Sequence, residues 1–145
     1  MKKALLVVMS LQTLLLVTPL PAWAGDAAAD MAQMTLRASS VPALQTAATK
    51  AGGYAPKSVS VVLAAHQITL LVTNSCLNGA PDTERETNAA HMVSAVVSAI
   101  QGKPEFSGIS VIHVDCEVRT GQTIKVVDRI DFFETPAGFY VMHRT

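Results

Sequence analysis

Three side chains in the last third of the chain have the types and spacing for acid–base or metal chemistry: His113, Asp115 and Asp131. A histidine and a carboxylate two residues apart share one face of an extended strand, and a second strand returning alongside can bring Asp131 to the same face. The set then offers either a His/Asp acid–base pair or three ligands for a cation. The same residues, completed by Arg129, also make a cross-strand charge ladder that needs no chemistry. No H-E-x-x-H or H-x-x-H spacing presets a metal site, and no G-x-S-x-G or glycine-rich phosphate loop supplies a nucleophile or a cofactor cradle. The sequence therefore implies no cofactor and names no reaction.

Cys76 and Cys116 are the second chemical signal. An even number of cysteines in an oxidising compartment favours pairing, and a Cys76–Cys116 bridge is expected if both lie at one end of a sheet. The wide spacing is not the C-x-x-C of a redox catalyst.

The compartment is read from the first 24 residues. Lys2 and Lys3 form a basic start, Ala4 to Val17 an apolar run of about 14 residues, and Ala22-Trp23-Ala24 a small-x-small cleavage pattern. The run is shorter than the roughly 20 residues of a membrane span. A removed Sec-type leader over residues 1–24 is expected, with the rest periplasmic or secreted and not membrane-bound. Without the leader, nine basic residues stand against 11 acidic ones, which gives no footprint for nucleic acid.

Residues 25–145 suffice for one domain. Residues 25–56 read as an N-terminal arm followed by a short peripheral helix, capped by Ser40 with Pro42 in its first turn and stopped by Gly52-Gly53. Residues 57–145 read as an α+β domain with a single core. Val59–Leu63 and Gln67–Asn74 are expected as strands around an Ala64-Ala65-His66 turn. Thr83-Glu84-Arg85-Glu86 matches a capping box that opens a helix to Gln101. On that helix Ala89, Met92, Val93, Val96, Val97 and Ile100 share one face, with Thr87, His91, Ser94 and Ser98 opposite. A parallel crossover through this helix leads to Ile109–Arg119, where Ile112, Val114, Cys116 and Val118 alternate with His113, Asp115 and Glu117.

Ile124–Glu134 and Phe139–Arg144 complete a meander. Setting Arg119 opposite Lys125 pairs Val118 with Val126, Asp115 with Arg129 and His113 with Asp131; the two-residue Gly121-Gln122 loop demands a register one step away. A last hairpin pairing Thr135 with Gly138 puts Phe133 beside Tyr140, with Val111 and Met142 near, as an apolar patch next to His113. The fold expected is two-layered, with one long amphipathic helix on a mixed sheet of four or five strands. The short helix would cover the far face, or the patch would receive a protein partner or a second copy, through the sheet face or an edge strand. The functional expectation is a small exported non-enzymatic binding or accessory protein of the bacterial envelope. The alternative is a small hydrolase or metal-binding protein centred on His113, Asp115 and Asp131.

Overall fold

The computed structural model describes residues 22–138 and 140–143, by backbone alone for residues 22–26 and 76. It is an α+β structure with two helices and a five-stranded mixed sheet: α1 (Ala22–Gly52), β1 (Val59–Leu63), β2 (Gln67–Thr73), α2 (Asp82–Ile100), β3 (Val111–Thr120), β4 (Thr123–Glu134) and β5 (Tyr140–His143). The strands lie in sequence order, with β2 and β3 parallel and the other neighbours antiparallel. No helix among the described residues is long and apolar enough to cross a membrane.

The β1–β2 hairpin and the β2–α2–β3 crossover follow the sequence pattern. α2 buries Ala89, Met92, Val93, Val96 and Ile100 and leaves Thr87, His91, Ser94 and Ser98 exposed. Its start differs from the capping-box reading: the helix opens at Asp82 after Pro81, and Thr83 lies inside its first turn. Asp82 and Glu84 there complement the positive end of the helix dipole.

α1 is longer than the short helix read from Ser40. The preceding residues are mostly alanine, methionine and other strong helix formers, so the helix runs through Pro42 instead of starting beside it. Ser40 does not cap; its hydroxyl and that of Ser39 donate back to the Leu36 carbonyl. Leu44 and Ala48 are fully buried and belong to the same cluster as Val59, Ile68, Leu70, Ile112, Val114, Ile130, Phe132 and the buried side of α2. The segment before residue 57 thus shares the single core. Arg37, almost wholly buried, ties α1 down: it donates to the carbonyls of Ala65 at 2.7 Å and Glu105, and its guanidinium lies 6.0 Å from the Phe106 ring centre.

The β3–β4 hairpin uses both registers that the sequence set against each other. From Val111 to Cys116 the pairs are those expected, including Asp115 with Arg129 and His113 with Asp131. A β-bulge between Cys116 and Glu117 then leaves Val127 as an extra residue, and from there Glu117 pairs with Val126, Val118 with Lys125 and Thr120 with Thr123. This closes the two-residue loop, with Gly121 at φ +63° in the first central position that requires it. The expected Val118–Val126 pair is therefore absent; Val126 and Ile124 join the face of Glu117 and Arg119.

Candidate functional site

The sheet face opposite the core is built in rows, because side chains of paired residues stand beside one another. One row holds Thr69, His113, Asp131 and His143, from β2 to β5. The next holds Leu71, Asp115 and Arg129, and the row on the other side Gln67, Val111, Phe133 and Val141.

His113 Nδ1 lies 2.6 Å from Asp131 Oδ1, with both side chains largely but not wholly buried. The ionised carboxylate can only accept, so the imidazole donates from Nδ1, which in the neutral ring leaves the lone pair on Nε2. That is the tautomer of a general base or a cation ligand. Asp115, only 3% exposed, receives both prongs of Arg129, Nε at 2.7 Å and Nη2 at 2.6 Å. The hydrogen bond that Arg129 donates to Asp115, with the carboxylate's charge, holds the guanidinium above its ordinary pKa.

The structure brings His113 and Asp131 together and diverts Asp115 to Arg129. Among the described residues, no three histidine, cysteine or acidic side chains converge as a metal ion would require.

The apolar patch is only partly the one expected. Val111 does face Phe133, but Phe133 pairs with Val141, and Tyr140 pairs with Glu134. The loop between β4 and β5 contains Gly138 at φ +78°, with the Gly138 amide donating to the Thr135 carbonyl at 2.8 Å. It is one residue longer than a direct Thr135–Gly138 closure, and a one-residue slip reverses every side chain after it. Tyr140 and Met142 therefore belong to the core side. Tyr140 packs half-buried and donates its hydroxyl to the Ile109 carbonyl at 2.5 Å. Burial pushes its phenol up to about 12. Val141 and His143 take their places on the opposite face, where His143 meets the edge of Phe133 with ring centres 6.0 Å apart.

Cys116 is buried on the core side opposite Val72, and Cys76 opens a 3-10 turn four residues past Val72. The flanking residues fix that turn to β3: the Asn74 amide and Asn78 Nδ2 both donate to the Glu117 carbonyl, at 2.8 and 3.1 Å. The two cysteines thus lie at the same end of the sheet, as the crossover demanded.

Sequence reasoning missed Arg85, which reaches from the first turn of α2 to Asp128 at 2.8 Å and explains a carboxylate beside the core. An arginine inside a charged helix start gives no sign of pointing inward. Comparison with protein-family models, with curated proteins and with solved structures finds no match.

Proposed function

We propose that the chain is an exported, non-enzymatic binding or accessory protein of the bacterial envelope, acting in the periplasm or outside the cell once its leader is removed. In this reading the domain is two-layered, with helices over one side of the sheet and the other side docking a protein partner. One observation carries it: Phe133 and Val141 stand side by side on the sheet face, 44% and 54% exposed, next to charged rows that already neutralise one another. Exposed aromatic surface on the same face as a half-exposed arginine, two rows away, has the composition of an interface centre.

The face suits a partner better than the stretch of β4 from Thr123 to Ile130, which β5 does not reach. A bulge at Val127 and a lysine at position 125 are the devices by which edge strands resist strand addition.

A photo-reactive residue at position 141 should capture a partner in intact cells, and one at exposed Ser94 on α2 should not. Phe133→Asp should abolish the adduct while His113→Ala leaves it. Equal capture at both positions, or none at 141, would sink the reading.

A second reading rests on the 2.6 Å contact of His113 with Asp131, which presents Nε2 as a base or ligand. It makes the protein a small hydrolase or metal-binding protein. Stoichiometric metal in the purified protein, lost on His113→Ala, would favour it.

A further inference from the structure

The core side of the sheet extends beyond the end of α2. The helix stops at Ile100, Gly102 at φ +75° turns the chain, and a 3-10 turn over Pro104–Phe106 leads on to Ile109. Two residues past buried Phe132, on the same side of β4, stands Glu134, paired with Tyr140 of β5. The space left between these segments is a cleft of about 550 Å³, within the size range of small-molecule sites. Val97, Ile100, Phe106, Ile109 and Tyr140 make its apolar lining. The Tyr140 hydroxyl is already committed to the Ile109 carbonyl, so what this residue offers a guest is ring surface.

Two charges of opposite sign line the same cleft. Lys103, half-buried, comes from the segment that follows α2, and Glu134, exposed, from the sheet. Among the described residues no other charged side chain lines it, and neither of these two forms an ion pair. Burial first, and then the Glu134 charge, raise the pKa of the Tyr140 phenol, which sets that carboxylate close to the apolar lining. A lysine that has lost half its access to water is ordinarily paired, and an anion carried by a guest would supply the missing partner.

We propose that the cleft binds an apolar dipeptide with free ends, its carboxylate at Lys103, its ammonium at Glu134 and its side chains on the apolar lining. Width and charge select this chemistry together. A cavity of 550 Å³ is about 8 Å across if as wide as it is deep; an extended chain advances about 3.3–3.6 Å per residue, so two residues hold opposite charges about 7 Å apart. A free amino acid carries both charges on one carbon and spans too little of that width. A fatty acid leaves Glu134 unanswered, and an alkyl amine leaves Lys103. The site lies on the helix side of the sheet and does not depend on the sheet-face reading.

Calorimetric titration of the purified protein with leucyl-phenylalanine tests this. A dissociation constant between about 10 µM and 1 mM is expected of about twenty non-hydrogen atoms in an open cleft. The N-acetyl and the C-terminal amide derivatives should each bind about threefold more weakly or worse, the worth of one charge pair at a rim. Against Glu134→Gln the acetylated and free peptides should bind alike, and against Lys103→Gln the amidated and free peptides should. Each variant thus cancels one block and leaves the other in force.

Ser107→Trp sets an indole at the exposed rim and should abolish binding, while Ser94→Trp, exposed on α2 and outside the cleft, should leave it unaltered. Because all four positions are at least half exposed, circular dichroism should show each variant folded. No saturable binding below about 5 mM, or equal affinity for free and end-blocked peptides, would overturn the proposal. So would a block that costs as much against its matching variant as against the parent, binding that survives Ser107→Trp, or tighter binding of octanoate than of the peptide.

Discussion

Replacing Arg129 by methionine tests whether the charged rows of the sheet face serve the structure. The Asp115 side chain is 4% exposed, and both its oxygens receive from this one guanidinium. Methionine keeps most of the stem and leaves the carboxylate in a nearly dry position. Removing one member of a buried pair costs about 3–5 kcal/mol; the Arg129 side chain is 54% exposed, so water can reach the gap, and about 3 kcal/mol is expected. The reverse change is milder. Asp115→Asn keeps the volume and one acceptor, and the guanidinium it strands is already half in water. About 1–1.5 kcal/mol, the worth of one hydrogen bond, is expected. The double variant should cost less than the sum of the two by about 1 kcal/mol or more. Urea unfolding reads all three, provided the slope is shared. A loss below about 0.5 kcal/mol for Arg129→Met, where about 3 is predicted, or strict additivity, would refute the structural assignment and return Asp115 to chemistry.

Arg37→Met should cost about 3 kcal/mol in the same assay: it deletes charge-assisted bonds to the carbonyls of Glu105, Ala64 and Ala65, and part of their worth returns through water at exposed Ala64 and Ala65. Tyr140 should ionise late, since burial raises its folded value above the unfolded one. Its contribution to stability is whole below pH 10 and is lost as pH rises from 10 toward about 12, because the unfolded chain releases its proton first. Tyrosinate absorbance against pH should show this late step, and Tyr140→Phe should remove it. Gly52→Ala would set a Cβ 2.5 Å from the Tyr54 ring, which donates to Asn88 at 2.6 Å; a loss of about 1–3 kcal/mol with an altered near-ultraviolet tyrosine signal is expected. Protein purified without reductant and then denatured should show no titratable thiol if Cys76 and Cys116 are bridged; two thiols per chain would discard the bridge.

The α2 face and the strand alternation were legible because burial repeats at the period of each element: Met92, Val93, Val96 and Ile100 on the helix, Ile68, Leu70 and Val72 on β2. Register in β3–β4 was legible where opposite charges had to meet, as with Asp115 and Arg129, and illegible past Cys116, where valines and isoleucines satisfy either alignment. β5 slipped by one for a related reason. Tyr140 and Val141 are both plausible neighbours for Phe133, and no charge decides between them. Arg37 was hidden for a different cause, since an arginine amid alanines and serines reads as solvated, and the carbonyls of Ala65 and Glu105 that hold it carry no sequence signature. Of the candidate site, the His113–Asp131 contact was foreseen through the register. The displacement of Asp115 into a pair with Arg129 was foreseen as its alternative.

The extra residue at Val127 divides the hairpin into two parts that answer to different constraints. Toward the sheet centre, alternate positions must fit a packed interior. Toward Gly121 the alternation is reset, so substitutions at Ile124 and Val126 are felt by solvent and by whatever approaches the tip. Deleting Val127 would close the bulge without turning the tip over, since Val126 would follow Asp128 directly and still meet Glu117, with Lys125 still beside Val118. The tip can therefore vary residue by residue, and even lose its extra residue, with little effect on the body, and it is the natural place to alter surface properties without redesigning the domain.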